Sequence, residues 1–483
     1  MLLAIIVLIP LIAAIAVLLG SPARQTTIVA SALNLLLGAY SAFSLSHGGE
    51  SVALTVLHQP EIALSFGLNG LSAVMLLLSV IVTFAASLSG YAPEGRDKLW
   101  FSSILFISAG AIGAFLSTNL FFFYAFHELA LIPTFLMIGI LGRGGNERKE
   151  IAWKTTIYLA FGSIVLLAGL LLAASQLDTY DMNNLGAAAE HQNAIALLLI
   201  IGFGTLVSLF PFHSWAAPAY ASAPAPVAML HAGVLKKFGL YGLIQVGLQV
   251  APDGMRHWLP LLIVLLLFNI LWVGFITINQ KRLDTMLGNS SVMHMGYIFL
   301  AIAAAIGTDP DIYTPGGTNS LAVRAAGLLM FAHGISIALS FALADRIESK
   351  TGTLELNKLG GLGKTAPKLC FLFGLAIMAS IGLPGLANFA GEIMVFISAF
   401  AGWDSTQELG SVQIAAIIAI WGVVISAVYG LRAFRQTFHG PLEAKCVSTS
   451  DITMMEKIPA ALLAITLLIV GIYPNLLLNL LPY

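Results

Sequence analysis

The sequence predicts an all-α polytopic membrane protein, and three observations support this prediction. Of the 483 residues, 58% are hydrophobic and only 9% are charged, whereas a soluble domain carries about 25% charged residues. Apolar runs of the length that a membrane helix needs, about 20 residues, cover nearly the whole chain. Lysines and arginines are gathered in alternate loops between those runs. One helical bundle therefore accounts for the chain better than two or three soluble domains.

Fourteen segments meet the length requirement and are numbered here as predicted spans 1 to 14. The first, MLLAIIVLIPLIAAIAVLLG, lacks a basic n-region and is predicted to be a span, not a cleaved signal. The twelfth is too long for one straight crossing and contains IGLPGLANFAGE, which predicts a break. A second interruption, HSWAAPAYASAPAP, separates spans 7 and 8. The spans are 2–19, 26–44, 68–91, 99–117, 119–142, 151–176, 193–210, 224–250, 257–280, 288–307, 319–344, 370–403, 411–435 and 458–479.

The basic residues give the orientation of these spans. All but four of the 22 lysines and arginines lie in, or close to, loops that follow odd-numbered spans. The exceptions are Arg256, Arg324, Lys236 and Lys237. Because cytoplasmic loops carry the excess of basic residues, we predict a multi-pass protein of the cell inner membrane with both termini on the outer, periplasmic side.

Several features argue against other functions. A formal charge of −1 gives no basic footprint for nucleic acid. Cys370 and Cys446 have no partners at metal-ligand spacing. No glycine-rich nucleotide loop and no β-sheet architecture is predicted, so no bound cofactor is expected. Asp284, with Lys281 and Arg282, is interpreted as a solvated or interfacial ion cluster.

Charged residues inside the spans each need an explanation, because a charge at mid-membrane costs about 3 kcal/mol. Glu128 lies about midway along span 5, in FFFYAFHELALIPTFLMIG, and is predicted to bind a proton. The alternative is a structural carboxylate that is hydrogen-bonded within the bundle. Glu392 follows the LPG break in span 12, and a carboxylate beside a helix interruption is a usual construction of an ion site in transporters.

Two adjacent lysines, Lys236 and Lys237, lie in HAGVLKKFGLYG, about a dozen residues from either end of span 8. That position argues against snorkelling to the interface and makes both candidate proton carriers. Successive helix positions differ by about 100°, so the two lysines are expected to occupy different environments, one facing the interior and the other a neighbouring helix or lipid.

Histidines within the spans are candidate relay groups, because imidazole titrates near neutrality. His294 in SSVMHMGYIF and His333 in LLMFAHGISIAL are the strongest of them. Each could equally be a satisfied core histidine. His127, His213 and His231 rank lower.

Six stretches in this order carry a family resemblance: FHELALIPTFLMIG, PFHSW, AGVLKKFGLYG, SSVMHMGYIFLAI, FAHGISIALSF and IGLPGLANFAGEIMVF, over about residues 119–400. In them the chain resembles the antiporter-like membrane subunits of respiratory complex I, the proton-pumping NADH:quinone oxidoreductase. The M-type chain, subunit 4, is the most similar of these. The resemblance implies two inverted five-helix repeats, each containing a broken helix. It divides the chain into N-terminal spans (1–98), a first repeat (99–250), a second repeat (257–435) and a C-terminal loop and span (436–483).

The resemblance also assigns roles to the buried residues. Glu128 matches the family's glutamate in span 5, and Lys237 matches its central lysine. His294 and His333 match the histidines of the family's Ser-His-Met-Gly and Ala-His-Gly motifs. Glu392 matches the terminal glutamate of the second broken helix.

The chain departs from the family pattern at several positions. Leu206 stands where the family has a lysine in span 7, and Lys236 replaces a leucine. We therefore predict that Lys236 supplies the missing charge and faces Glu128. The sequence WAAPAY at 215–220 and the order of charges in Arg282-Leu283-Asp284 also differ from the family.

The leading prediction is a proton-translocating, non-redox subunit of a complex I-like enzyme, with neighbouring antiporter-like subunits, the lipid bilayer and protons as partners. A proton is expected to enter from the inside face, rest on Lys237, pass His294 and His333, and leave near Glu392. The alternatives are a subunit of a multisubunit cation/proton antiporter and the membrane arm of an energy-converting hydrogenase. Because the chain ends shortly after span 14, the larger subunit-5 type is disfavoured.

Overall fold

Helices account for most of the chain, and the fold is that of a polytopic membrane protein. The computed structural model describes residues 1–45, 52–58, 60–307 and 320–481. Within these ranges, twelve helices are long and apolar enough to cross a membrane, and three shorter helices (α7, α13 and α14 below) are also apolar. In chain order the helices are α1 (Leu2–Leu19), α2 (Ala23–Leu45), α3 (Gly70–Leu88), α4 (Asp97–Leu116), α5 (Leu120–Leu141), α6 (Glu147–Leu177), α7 (Gln192–Val207), α8 (Ala216–Ser222), α9 (Ala225–Val250), α10 (Pro252–Ile278), α11 (Leu283–Gly307), α12 (Ser320–Thr351), α13 (Pro367–Ser380), α14 (Ala387–Ala399), α15 (Ser411–Phe438), α16 (Met454–Ile472) and α17 (Asn475–Leu478).

The break predicted within 370–403 is present between α13 and α14. Helix α13 ends at Ser380, and Pro384 in the following turn has no backbone N–H to continue it. Gly382 and Gly385 adopt φ values of 74° and 92°. Side chains rarely tolerate this left-handed region, so glycine is the residue that allows the reversal.

The second predicted interruption separates α7 from α9 and contains the short helix α8. Its freed backbone groups are satisfied by a buried side chain on α10. The Asn269 carboxamide accepts from the Phe210 N–H (2.6 Å) and donates to the carbonyls of Ser208 (3.2 Å) and Val292 (3.1 Å). Broken backbone is tolerated at membrane depth only where protein or a polar cavity satisfies it. Asn269 supplies that support.

A two-stranded antiparallel sheet lies between α2 and α3 and was not predicted. Strands β1 (Val52–His58) and β2 (Glu61–Phe66) pair with Val52 opposite Phe66, and a bulge interrupts the register after Thr55. The alternating run VALTVLH is too short to cross a membrane and carries several exposed apolar residues. The alternation of this short run was therefore not recognised as a strand pattern next to much longer apolar runs.

Burial separates a central set of helices from a peripheral set. Helices α9 and α12 are buried on every side, and α3, α4 and α11 nearly so, whereas the other seven long helices bury less than half of their residues. A helix that is apolar all round packs stably in such a centre. Three of the five central helices carry candidate site residues.

An ion-pair network joins the two halves of the chain at the face rich in basic residues. Arg143, after α5, contacts Asp345 (3.0 Å) and Glu348 (2.9 Å) on α12. Arg346 contacts Glu456 (3.1 Å) at the start of α16. These side chains are at least two-thirds buried, and charges connected in a network stabilise more than isolated surface pairs do.

Close packing of α4 against α5 generates the first prediction. A methyl group at Gly110 would lie 2.5 Å from the backbone oxygen of Phe126, whereas one at Gly139 on α5 would lie 3.4 Å from Ala152. Both positions are helical, so Gly→Ala favours the helix by up to about 1 kcal/mol at each. Overpacking costs about 1–3 kcal/mol, so G110A should lower the thermal stability of the purified assembly. G139A should leave it unchanged or raise it. An equal effect of the two substitutions would contradict this packing argument.

Candidate functional site

Helix α9 positions both lysines in the protein interior. Lys236 is 1% exposed and Lys237 is 0% exposed, so neither reaches the membrane interface. The helix is widened by a π-helical turn at His231–Leu235 immediately before the pair. Such turns are frequent at functional sites.

The ammonium group of Lys237 bridges α9 and α12. Its Nζ donates to the carbonyl oxygen of Ala232 in the π-helical turn (2.8 Å) and lies 2.9 Å from Nδ1 of His333. The side chain therefore bends back toward the start of α9. No carboxylate forms a salt bridge with Lys237 within the described part of the chain. Proton transfer between Lys237 and His333 needs only this one hydrogen bond.

Lys236 points to a different set of groups. Its Nζ lies 3.4 Å from the hydroxyl of Ser291 on α11 and 5.3 Å from the centre of the Tyr220 ring on α8. The expectation that the two lysines occupy different environments agrees with these contacts. The alternative that one lysine meets lipid is wrong, because α9 has no lipid-facing side.

The predicted pair between Lys236 and Glu128 does not form. The residue of α9 that faces α5 is Phe238, whose ring stacks on His127 at 3.9 Å between centres. Lys236 lies two positions earlier, about 200° around the helix. Its side chain therefore leaves α9 toward α8 and α11, away from Glu128.

Glu128 is held by a serine and a neighbouring histidine. The Ser163 hydroxyl on α6 donates to its Oε1 (2.6 Å), and Nδ1 of His127 lies 3.4 Å from the same atom. No lysine pairs with it among the described residues, and Leu206 is buried on α7. About a third of the Glu128 side chain, 35%, is exposed at the surface of the chain.

His294 has a backbone carbonyl against each ring nitrogen. Nδ1 lies 2.8 Å from the oxygen of Ser290, and Nε2 lies 2.8 Å from the oxygen of Ser380, the last residue of α13. A neutral imidazole donates from only one nitrogen, whereas the protonated ring donates from both. The geometry is thus fully satisfied only when His294 carries a second proton. The rings of His294 and His333 are 5.8 Å apart.

Glu392 lies beyond the break, on α14, and is 5% exposed. A methyl group at Gly382 would overlap one of its carboxylate oxygens, so the carboxylate packs directly on the glycine turn. Its Oε1 is buried and has no hydrogen-bond partner within the described chain. The Glu392 carboxylate is not in contact with the histidines, and the helix break lies between them.

The structure thus brings together Lys237, His333 and His294, in that spatial order. The predicted route placed His294 before His333, following the order of the chain. Contact geometry reverses it, because the α12 histidine is the one that touches Lys237.

Hydroxyl groups surround this series and were not predicted from the sequence. Ser290 is 2.7 Å from the hydroxyl of Tyr429 on α15 and 3.4 Å from Nδ1 of His294. Ser291 contacts Lys236, and Tyr220 lies under the same lysine. The adjacent serines in NSSVMH were the available signal, since hydroxyl groups one turn before a buried histidine can bond to it.

Asp284 forms an ion pair with Arg282, as expected of a solvated or interfacial ion cluster, but its carboxylate is buried and not solvated. Asp284 is 1% exposed and accepts two hydrogen bonds from Arg282, from Nε (3.1 Å) and from an Nη (2.7 Å). The hydrogen bond with Asp284 raises the pKa of Arg282, with the carboxylate charge adding to the effect. This bidentate pair fixes the start of α11.

Buried titratable groups in a central series, beside a broken helix, define an ion-translocating membrane protein. The comparisons assign the family: residues 117–419 match the family described as "NADH:quinone oxidoreductase/Mrp antiporter, TM", and the chain belongs to it. The chain is 31% identical to NAD(P)H-quinone oxidoreductase chain 4 of Gloeobacter violaceus, over 98% of this chain and 90% of that one.

Solved structures agree with this assignment. A chain of respiratory complex I from Thermus thermophilus with bound NADH superposes with a TM-score of 0.86 at 26% identity, covering 99% of this chain and 98% of that one. A chain of the Mrp complex from Dietzia sp. DQ12-45-1b superposes with a TM-score of 0.84 at 20% identity, over 99% and 95%. The second likeness shows the fold alone.

The Lys237–His333 contact generates the second prediction. In H333Q the amide oxygen can still accept from the Lys237 ammonium, but the side chain cannot pass a proton on. We expect normal assembly and a large loss of driven proton transfer, measured as acidification of vesicles. H213A is the matched control. His213 stacks on Phe210 in the interruption between α7 and α9 and lies outside the series. Wild-type transfer in H333Q would rule out the contact as a step.

Proposed function

We propose that this chain is the M-type (subunit 4) proton-translocating subunit of a complex I-like NADH:quinone oxidoreductase. It contributes no redox chemistry of its own and is driven by other subunits of the assembly. The observation that carries the proposal is the 2.9 Å contact between Lys237 and His333 at the centre of the helix bundle. The chain's membership of the NADH:quinone oxidoreductase/Mrp antiporter family supports it. Neighbouring antiporter-like membrane subunits are its partners.

The proposed route runs from Lys237 to His333, then to His294 and across the helix break to Glu392. His294 has hydrogen-bond acceptors in place for the proton that it receives. A protonated His294 donates to the carbonyls of Ser290 and Ser380. Glu392 lies on the far side of the break that Ser380 begins. The separation of the two histidine rings, 5.8 Å between centres, is spanned by ring movement or by one water.

The proposed membrane topology has fourteen crossings. It counts the short helix α7 as one crossing and the pair α13–α14 as one broken crossing, in addition to the twelve long helices. The first repeat covers 99–250 and the second 257–435, between N-terminal helices (1–98) and a C-terminal segment (436–483). Each repeat then contains one interruption. The distribution of basic residues supports an inner-membrane location with both termini on the periplasmic side.

Glu128 is proposed to act at a subunit boundary. A carboxylate at mid-membrane with a third of its side chain uncovered is costly in contact with lipid. The described part of its own chain gives it Ser163 and His127 but no lysine. A neighbouring membrane subunit that covers α5 would remove the exposed fraction and bring a group that responds to the proton on Glu128.

Lys236, in the first repeat, is proposed to be a second proton site whose side chain faces the second repeat. Its contact with Ser291 places it one residue from Ser290, which in turn contacts His294. Lys236 and Lys237 then approach the same histidine pair from two directions. Lys236 therefore adds a second proton-binding group beside the histidine pair. It does not replace the charge that is absent at Leu206.

A multisubunit cation/proton antiporter remains the second candidate, because the Mrp complex chain superposes almost as well as the complex I chain. An energy-converting hydrogenase is the third. The genes beside this one and the proteins that copurify with it separate the three. Peripheral redox subunits support complex I, small antiporter subunits support the second, and a nickel–iron hydrogenase supports the third.

The proposed route generates the third prediction. K237A and E392A in the assembled enzyme should abolish most proton pumping while the purified assembly keeps its full set of subunits. The reason is that K237A removes the lysine that contacts His333, and E392A removes the buried carboxylate on the far side of the helix break. Pumping is measured as the pH gradient formed in vesicles during NADH oxidation.

K98A serves as the control for these two variants. Lys98 lies at the start of α4 and donates to the carbonyl of Leu18 near the surface, so its loss should leave pumping intact. Undiminished pumping in both K237A and E392A would contradict the route and with it the proposed function.

A further inference from the structure

A polar cavity enters the first half of the bundle from the side of the two-stranded sheet. We call the pair of strands β1 and β2 the hairpin. We call the cavity the vestibule. It has a volume of about 310 Å³ and is lined by polar groups of Asn69, Ser72, Ser117, Tyr241 and Gln245. It shares Thr118 and Asn183 with a larger cavity of about 880 Å³ beneath the hairpin. A cavity of this size with several polar partners holds water.

The vestibule lies on the face opposite the basic residues. Helix α3 begins beside the hairpin and ends before the loop that carries Arg96, with Lys98 at the start of the next helix. Helix α9 begins beside Arg143, whose N–H donates to the Ser222 carbonyl, and runs toward the hairpin. Tyr241 and Gln245 therefore face the hairpin side, while the Lys237 side chain bends the other way, to Ala232.

Only one turn of α9 separates the inner end of the vestibule from Lys237. Tyr241 follows Lys237 by four residues, about 6 Å along the helix axis. Its hydroxyl donates to the Phe115 carbonyl (3.2 Å), and Asn69 donates to Gln245 (3.2 Å) beside it. These bonds lie at the end of the vestibule that is nearer to Lys237 in α9.

A cluster of aromatic rings occupies the space beyond. Phe123 lies 4.3 Å from Phe238, 5.9 Å from Tyr241 and 6.2 Å from Phe203, measured between ring centres. Phe115 packs edge-on against Tyr241 at 5.3 Å. All five side chains are at most 2% exposed. Phe238 also stacks on His127, so the cluster continues to the residue beside Glu128.

We propose that the vestibule is a second water entry to the lysine pair and that the aromatic cluster is the barrier that keeps it closed. Water reaches Tyr241 and Gln245 from the hairpin side. The rings of Phe123 and Phe238 exclude it from Lys237, as hydrophobic constrictions do in channels. The barrier prevents protons on the hairpin side from flowing back to Lys237 by the shortest route, while the second half of the chain provides the exit.

The vestibule is tested by thiol labelling in the assembled complex. Q245C is compared with V246C, its buried neighbour at the same depth, in a background lacking the partly exposed Cys370. With a membrane-impermeant thiol reagent added from the hairpin side, Q245C should react about tenfold faster or more, because only a wetted thiol ionises. T55C on the exposed hairpin reports which side that is. Equal rates for Q245C and V246C from either side would overturn the vestibule.

The barrier is tested by passive proton leak in vesicles, without electron donor. F123A and F238A should raise the leak several-fold, whereas F121A, which removes an exposed ring of α5, should not. Adding K237A to either variant should return the leak toward the wild-type rate. An unchanged leak in both single variants, or a leak that persists in the doubles, would overturn the barrier. Should F238A not assemble, F123A and the labelling still decide.

This inference rests on the proposed function in one respect, the role of Lys237 as a proton carrier. The two can fail separately. Loss of the route would show as driven pumping that survives K237A, measured with the electron donor present. Loss of the barrier would show in passive leak and labelling, measured without turnover.

Discussion

The burial of α9 on every side is the constraint on which the rest of the structure depends. Lys237 lies on a part of this helix that faces neither lipid nor solvent, so protein groups alone must satisfy its charge. These groups are one carbonyl oxygen and one imidazole nitrogen. A carboxylate 4 Å away would add about 4 kcal/mol of attraction at an effective dielectric constant of 20. Without a carboxylate, the Lys237 ammonium is held only by a carbonyl oxygen and an imidazole nitrogen. These partners hold the proton less tightly than a carboxylate would.

The helix breaks follow from the same constraint. A continuous α13 would have used the Ser380 carbonyl within the helix, and His294 would have lost one of its two acceptors. The break frees that carbonyl and lets the Gly382 turn pack on Glu392. At the other break the freed groups carry no proton-binding side chain, and Asn269 satisfies them. At the interruption between α13 and α14, a freed carbonyl therefore contacts a titratable side chain. At the interruption between α7 and α9, the freed backbone groups contact the Asn269 carboxamide.

Much of this could be predicted from the sequence, because hydrophobicity and charge placement are strong signals in a membrane protein. The helical fold of a polytopic membrane protein, both interruptions and the burial of the lysine pair agree with the prediction. What the sequence could not give is the direction of side chains around a helix whose partners are unknown. Lys236 was expected to face Glu128, but the π-helical turn and the stacking of Phe238 on His127 direct it to α11. The predicted order of His294 and His333 along the route was wrong for the same reason.

The two halves of the chain are built differently around a common lysine. In the first half, the surroundings of Lys237 are aromatic, Leu206 is apolar, and Glu128 lies toward the surface. In the second half, hydroxyls, imidazoles and a freed carbonyl follow one another toward Glu392. On the proposed route, a proton on Lys237 meets polar partners on the side of α11 and α12. Under that proposal the half that offers hydrogen-bond partners sets the direction of transfer, and Lys236, placed against Ser291, lies on that same side.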